Sequence, residues 1–326
     1  MSQLRAHPLS TWSRIARWSE HGDAIFYAIT LIFAMLTIGL VVAIGTVTWQ
    51  ASAQARQLLG LNFLFASGWA PNKLIFGALP AVYGTLVTSA IALLLAGPTG
   101  VFIGIFLSEL APLWLRRPLS FLVELLAAIP SVIYGMWGVF VFIPWSRPVF
   151  ETVANSVGRV IPLFAGPVAA GRSLLAAGII LAIMILPTVA AISRDVLAVV
   201  PRHQREAMLA LGATRWETIW LAVVPYARAG IVGGMMLGLG RALGETMAAL
   251  LVIGGVKNIV PVSLLAPGIS IAPLIASELA NANSEVHQSA LILMALVLFS
   301  ITLLLNGAAR LFVWQVSRGP VGEVRA

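Results

Sequence analysis

The chain has 326 residues, of which 60% are hydrophobic and only 10% are charged, and its mean hydropathy is +0.97. A soluble domain carries roughly a quarter charged residues, so this composition excludes a surface that faces only water and predicts broad contact with lipid. The net charge of +8 comes from small basic groups beside apolar runs, not from a basic stripe with interleaved aromatics, which argues against nucleic-acid binding.

Six apolar runs have the length of roughly 20 residues that a helix needs to cross a bilayer. The first run, Ile25–Trp49, follows a basic segment, residues 1–24, which we expect to be a cytoplasmic tail. Because the apolar core of a signal peptide has only about 7–15 residues, we interpret this run as an uncleaved first transmembrane helix. Residues 50–78 then form an extracytoplasmic loop, and residues 314–326 form a second cytoplasmic tail.

Prolines and glycines interrupt the later runs. The five further predicted spans are Leu79–Leu107, Leu119–Ile143, Ser173–Ile192, Ala229–Gly255 and Ser289–Val313. Pro98 predicts a kink in the second span, and Pro130 makes the third an irregular helix that neighbouring protein must cover. Residues 257–288 contain three prolines, so we expect an interfacial or re-entrant segment there.

The orientation follows from the distribution of lysine and arginine. With the N-terminus inside, thirteen of these residues fall in inner segments and six in outer segments, and cytoplasmic loops carry the excess of positive charge. The sequence therefore predicts an all-α polytopic membrane protein with about six transmembrane helices and both termini in the cytoplasm.

The most polar stretch, residues 193–228, contains two short helix candidates. One follows Pro201 and ends at Gly212, a residue type common at helix C-termini, and the other begins at Thr214 with Glu217 at the capping-box spacing. An apolar stripe accompanies them, made of Met208, Leu211, Trp216, Ile219 and Trp220. This combination favours a docking element for a soluble partner over a solvated linker.

Arg241 and Glu245 lie inside the otherwise uncharged fifth span. An arginine at mid-helix costs about 2.5–3.5 kcal/mol even on the gentler insertion scale. On a continuous helix the four-residue spacing lets the two charges pair. Two interpretations stay open, which are a salt bridge that fixes helix packing and a switchable pair in which the arginine attracts a translocated anion.

Glycines flank this pair on two helical faces. Gly234 and Gly238 fall with the two charges within about a 60° arc. Gly240 and Gly244 form an adjacent G-x-x-x-G face that permits close helix packing.

Two sets of motifs resemble a known family. Glu206-Ala207-Met208 with Gly212 and a later VVP segment resembles the EAA loop of ABC importer permeases, although alanine is usual at Met208 and leucine at Val224. Four segments resemble the PstC-type permease of bacterial phosphate importers, and the likeness extends from residue 76 to about residue 313. They are FGALPAVYGTLVTS (Phe76–Ser89), ELLAAIPSVIYGMWGVFVF (Glu124–Phe142), GLGRALGET and PGISIAPLIASELANA (Pro267–Ala282).

This resemblance implies a fold, a location and residue roles. The fold is a type I importer (MetI-like) permease core, residues 79–313, with an extra N-terminal helix, in the bacterial cytoplasmic (inner) membrane. Arg241 and Glu245 would lie on the phosphate path. The coupling loop to an ATPase would include Glu206, Ala207, Met208, Gly212, Thr214 and Glu217.

The resemblance also implies partners that supply what this chain lacks. They are a PstA-like permease in a heterodimer, two PstB-like ATPase subunits, a PstS-like extracytoplasmic phosphate-binding protein and a PhoU-like regulator. The lysines, Lys73 and Lys257, stand outside any Walker loop, so we expect ATP to be bound by a partner and no cofactor by this chain. Without cysteine and with four scattered histidines, the chain gives no support for a metal site.

Other functions compete with this interpretation. A permease for another oxyanion, such as sulfate or molybdate, would share the same features. An ion-coupled secondary transporter would require an inverted internal repeat, and the sequence shows none. An intramembrane enzyme would require a catalytic constellation in the spans, which we do not find. Glu124 is either a further path residue or a polar residue near the cytoplasmic end of its span.

Overall fold

The computed structural model describes residues 11–166, 168 and 170–317. The chain divides into two units, Met1–Ala51 and Ser52–Ala326. The first unit consists of helix α1, Thr11–Ala51, so helical structure begins within the segment that we expected to be a tail. Residues 1–10 and 318–326, which belong to the two predicted tails, lie outside the described residues.

Helices also dominate the second unit. Its α-helices within the described residues are α2 (Ala53–Leu59), α3 (Asn62–Phe65), α4 (Leu79–Ile105), α5 (Leu113–Ala127), α6 (Ser131–Trp137), α7 (Ile143–Asn155), α8 (Leu174–Ala198), α9 (Arg202–Ala210), α10 (Arg215–Thr218), α11 (Val224–Leu243), α12 (Met247–Val252), α13 (Ile271–Glu278) and α14 (Glu285–Ser317).

Shorter elements complete the second unit. Two strands, β1 (Trp69–Ala70) and β2 (Ile75–Phe76), pair antiparallel in the loop before α4. Three π-helical turns continue α-helices without a break, at Phe106–Leu110, Gly138–Phe142 and Ile219–Val223. Four short 3₁₀ turns are Pro71–Lys73, Val157–Arg159, Pro162–Phe164 and Leu279–Asn281.

The prediction of about six crossings agrees with the helices. Five described stretches have the length and hydropathy of a membrane span, namely Ile25–Ala51, Leu79–Leu110, Leu174–Ala198, Arg215–Leu243 and Glu285–Leu311. A sixth span forms if α5 and the stretch Ser131–Asn155 are counted together, although they meet at 90°. Residues 257–288 contain the eight-residue α13, one 3₁₀ turn and the first turn of α14, in agreement with the expectation that this segment does not cross fully.

The predicted third span, Leu119–Ile143, is wrong as one helix because the chain bends between α5 and α6. Pro130 lacks a backbone N–H, so it cannot donate to the carbonyl of Leu126, four residues earlier. That carbonyl instead accepts from the Tyr134 hydroxyl at 2.8 Å and from the N–H of Ile129 at 3.3 Å. The bend thus keeps its freed backbone oxygen satisfied, as an apolar environment requires.

The predicted fifth span, Ala229–Gly255, is also wrong in its limits. The helix ends at Leu243, and the continuous helical stretch that contains it begins earlier, at Arg215, because the second helix of the polar loop continues through a π-helical turn into α11.

Helix α8 forms the centre of the second unit and packs against α4, α5, α11 and α12. Small residues let α4 approach closely, since a Cβ added at Gly100 or Gly104 would lie 2.9 Å from Val189 Cβ and 2.6 Å from Ser193 Cβ. This close packing buries much of α8, including Ile185.

A second core lies under the loop that precedes α4. Phe63, Trp69 and Phe76 are buried there against residues of α13 and α14. At its edge the Glu278 carboxylate accepts from Lys257 Nζ and lies 3.3 Å from His287 Nε2. Burial raises the pKa of Glu278, but the bonds from Lys257 and the nearby donors outweigh it and hold that pKa below its usual value.

Candidate functional site

The helix that carries Arg241 ends two residues after it. Helix α11 stops at Leu243, Gly244 takes φ −90° and ψ 0°, and α12 begins at Met247. Glu245 therefore lies in the short link between two helices.

Arg241 and Glu245 do not pair in the structure, so the expected ion pair is absent. Arg241 Nη1 donates to Thr188 Oγ1 at 3.4 Å. Glu245 Oε1 accepts from the backbone N–H of Ala248 at 3.2 Å, which satisfies a free donor in the first turn of α12. Among the described residues, Arg241 has no carboxylate partner, and its guanidinium is only partly buried.

Sequence reasoning missed Thr188. It follows Pro187 near the middle of α8, where the proline leaves the carbonyl of Ile183 without its usual helical donor. A proline and a hydroxyl side by side inside an apolar span were the available signal, because irregular backbone at membrane depth is tolerated where it is covered or lines a cavity.

Helix α6 also lies near the site. Tyr134 of α6 is 7% exposed. A Cβ added at Gly135 would lie 2.7 Å from Leu251 Cδ1 and 2.9 Å from Ala248 Cα. The absence of a side chain at Gly135 therefore lets α6 lie directly against α12.

The four glycines predicted to flank the charged pair have different surroundings. A Cβ added at Gly234 would lie 2.8 Å from Ile192 Cγ2, and one at Gly238 would lie 2.9 Å from Val189 Cγ2, so both allow α11 to pack on α8. At Gly240 the same addition meets no described atom within 4 Å, and at Gly244 it meets only the helix's own backbone. One face of α11 is thus packed and the adjacent face is open.

The predicted helix-turn-helix is present in the polar loop as α9 and α10. Gly212 between them has φ +84°, a conformation that glycine adopts without strain. Thr214 and Glu217 form the reciprocal capping box, with Thr214 N donating to Glu217 Oε2 at 2.7 Å and Glu217 N donating to Thr214 Oγ1 at 3.3 Å.

This loop presents a mixed apolar and charged surface. Glu206 and Ala207 are exposed and Met208 is partly buried. Leu211 is 84% exposed and Trp216 is 61% exposed, whereas two other members of the predicted stripe turn inward, since Ile219 is buried and Trp220 is partly buried. The exposed apolar side chains favour a docking surface.

Arg205 fastens this loop to the end of α4, a contact that sequence reasoning missed. Its Nε donates to Glu109 Oε2 at 2.9 Å and its Nη2 donates to Glu109 Oε1 at 2.7 Å. The guanidinium also donates to the carbonyls of Val200 and Leu197. Such a two-bond arginine–carboxylate pair holds its two elements in a fixed geometry.

Known proteins that are similar to this chain are transport permeases. A family described as "binding-protein-dependent transport system inner membrane component" matches residues 100–318. The PstC phosphate transport system permease of Xylella fastidiosa (strain 9a5c) is 44% identical over 294 residues, which cover 89% of this chain and 90% of that protein. The PstC protein of Pasteurella multocida (strain Pm70) is 42% identical over 299 residues, covering 91% and 93%.

Solved structures show the same fold at lower identity. An inward-facing form of the MetNI methionine ABC transporter matches with a TM-score of 0.58 at 18% identity, covering 77% of this chain and all of that one. A bacterial alginate ABC transporter, in complex with a periplasmic protein bound to an alginate pentasaccharide, matches with a TM-score of 0.56 at 19% identity, covering 93% and 98%. These likenesses show the permease fold alone.

Proposed function

The chain belongs to the family of binding-protein-dependent transport system inner membrane components, and within it to the PstC-type permeases; from this premise we propose that it is the membrane-spanning subunit of an ATP-driven phosphate importer. Its part is to form a path for the ion, and energy comes from a separate ATPase.

The surroundings of Arg241 are the observation that supports an oxyanion as the substrate. Its guanidinium lies in a span, partly buried, with one long bond to Thr188 and no carboxylate partner among the described residues. A guanidinium in this state presents several free donors in a planar fork, which matches two oxygens of a tetrahedral oxyanion. Glu245 lies nearby, and we propose that it supplies a competing negative charge between turnovers.

The coupling loop supports the proposal of ATP as the energy source. Exposed Leu211 and Trp216 offer apolar contacts for an ATPase subunit, and the bonds of Arg205 to Glu109 connect α9 to the span that ends at Leu110. A movement of the docked ATPase would therefore reach the spans through this contact. ATP would shift the population between two conformations by binding them with different affinity.

The proposed assembly has four kinds of component. The open face of α11 at Gly240 and Gly244 supports a second permease of the PstA type beside the path. Two PstB-like ATPase subunits would dock on the coupling loop, and a PstS-like protein would deliver phosphate from outside, with a PhoU-like regulator associated. The excess of lysine and arginine supports both termini in the cytoplasm.

The decisive experiment is radiolabelled phosphate uptake by proteoliposomes that contain the chain with its partner subunits. Uptake should require ATP, and Arg241→Gln should lower it about 100-fold, since bonds to a charged group contribute about 1.5–3 kcal/mol. Glu245→Gln should change the rate less, because Glu245 does not neutralise Arg241 in this conformation. Arg159→Gln, an exposed arginine outside the spans, is the matched control.

Three results would contradict parts of this proposal. Uptake driven by an ion gradient without ATP would identify a secondary transporter. Uptake of sulfate or molybdate in preference to phosphate would identify another oxyanion. Normal uptake by Arg241→Gln at normal expression would show that the arginine is structural.

A further inference from the structure

Two adjoining cavities lie at the coupling-loop end of the spans, away from Arg241. The first, of about 370 Å³, lies between α5, α8 and the turn that follows α4, and its polar lining is Ser108, Arg116, Arg117, Ser120, Glu124, Arg194 and Asp195. The second, of about 220 Å³, is lined by Arg116, Arg202, Arg205 and Glu109 among others. Arg116 borders both. One water takes about 30 Å³, so the first cavity has room for a phosphate group and several waters.

Two of these five arginines are already neutralised by carboxylates. Arg194 bonds to Asp195 at 2.8 Å and to Glu124 at 3.1 Å. Arg205 bonds to Glu109 at 2.7 Å. All three carboxylates that line the cavities are therefore engaged, and each holds one particular arginine.

The other three arginines have no carboxylate partner. Among the described residues, Arg116, Arg117 and Arg202 form no ion pair. Arg116 Nη2 donates to the carbonyl of Ser108, while its Nε is buried without a hydrogen-bond partner in this part of the chain. The guanidinium thus keeps donors that the described residues leave unpaired, and those that face the cavity are available to an anion.

Helix α5 places this basic lining beside an apolar surface. Trp114 is 76% exposed, Phe121 is 63% exposed and Leu125 is 52% exposed. An amphipathic helix with basic and aromatic residues is typical of segments that lie at a membrane interface. The cavity thus opens next to a surface suited to acyl chains.

We infer that the cavity bordered by Arg116 and Arg117 is a binding site for a phosphate-class oxyanion, distinct from the path at Arg241. Two sources carry this chemistry, the headgroup of an anionic phospholipid and free inorganic phosphate. Both offer tetrahedral oxygens to the guanidinium groups of Arg116 and Arg117 and to the Ser120 hydroxyl. The site would hold α5 against α8 at the end of the spans where the ATPase would dock.

Ordinary solvated arginines at the inner face of a membrane would look different. They would line no cavity, and their donors would reach water. Here two cavities share one arginine whose Nε is buried, and the neighbouring carboxylates are occupied by other arginines. These two observations separate a binding site from a general excess of positive charge.

The test measures binding by the full-length chain in phosphatidylcholine nanodiscs. Every sample carries Arg241→Gln, so that the proposed path does not contribute and the result is independent of the proposed function. One arm titrates dihexanoyl-phosphatidylglycerol and the other titrates inorganic phosphate, with the apparent dissociation constant taken from the shift of the thermal midpoint. The variants are Arg116→Gln, Arg117→Gln and their combination, and Arg159→Gln is the control of equal charge.

Each single variant should weaken binding of the true ligand about tenfold, and the double variant about 100-fold, as expected when charge-assisted hydrogen bonds are removed. The control should bind as the parent does. If only the lipid binds in a way that depends on these arginines, the site takes a lipid headgroup. If inorganic phosphate does, the site takes the free ion. If Arg116→Gln reduces the yield of folded chain, Arg117→Gln carries the test, because Arg117 is exposed.

The inference is overturned if neither ligand binds, or if both bind with constants that Arg116 and Arg117 do not affect. Equal weakening by Arg159→Gln would also overturn it, because it would reduce the effect to net charge.

Discussion

Two arginines of this chain, Arg205 and Arg241, lie at different depths and differ in how fully their donors are used. Arg205 makes two bonds to Glu109 and two more to backbone carbonyls. Arg241 makes one bond, to Thr188, at 3.4 Å. A guanidinium carries five donors, so Arg205 is almost saturated and Arg241 is not. The difference separates an arginine that fastens two elements from one that can receive a ligand.

The same contrast holds for the faces of α11. At Gly234 and Gly238 the helix touches α8 so closely that no Cβ fits without a shift. At Gly240 no described atom lies within 4 Å of an added Cβ. The packed face fixes the helix in the second unit, while the open face lies on the part of α11 that also carries Arg241.

The largest expected difference between Arg205 and Arg241 is in how much each contributes to the free energy of unfolding. Arg205→Gln should lower the free energy of unfolding by about 3 kcal/mol, because it leaves Glu109, whose side chain is 11% exposed, without its partner. Arg241→Gln should change the same quantity by less than about 1 kcal/mol, since it breaks one long bond. Denaturant unfolding of the full chain in detergent measures both, and equal losses would contradict the comparison.

A smaller effect is expected from glycine substitutions in α11. Gly238→Ala places a methyl group 2.9 Å from Val189 Cγ2, so we expect a loss of about 2 kcal/mol from overpacking. Gly240→Ala adds the same methyl group in open space and should be neutral or stabilise by up to about 1 kcal/mol, because alanine favours the helix. The same unfolding measurement compares them, and a cost at Gly240 in the chain alone would show that its face is already packed.

The smallest effect is expected at Glu278, whose carboxylate bonds to Lys257 and lies close to His287. Because the pKa of Glu278 is lowered in the fold, its contribution to stability is complete at neutral pH and is lost as pH falls through and below the usual value of 4.5. Lys257→Met should therefore cost about 1 kcal/mol at pH 7, and this difference from the parent should vanish in acid. Lys73→Met, at an exposed lysine, should show no such pH dependence.

Much of this fold could be predicted from the sequence. Apolar length gave the number of crossings, and the capping box at Thr214 and Glu217 formed where its spacing placed it, because both signals depend on neighbouring residues alone. The helix end at Gly212 is likewise local, since it needs only one residue with positive φ.

The two helix breaks could not be placed in the same way. Pro130 predicted irregularity, but not a 90° bend, nor that the Tyr134 hydroxyl would reach the carbonyl of Leu126. The link at Gly244 and Glu245 precedes α12, which packs against α6, a contact between residues distant in sequence. Likewise, Glu109 and Arg205 are 96 residues apart, and no short-range pattern connects residues at that separation.

The break after α11 has one further consequence, which concerns competition for a single carboxylate. On an uninterrupted helix Glu245 would be held one turn from Arg241. In the link it has a second place to rest, on the N–H of Ala248, and a capping bond of this kind contributes about 1 kcal/mol. That is less than a factor of ten in population. Moving Glu245 from this bond to Arg241 would therefore cost little, which is what its proposed role as a competing charge between turnovers requires.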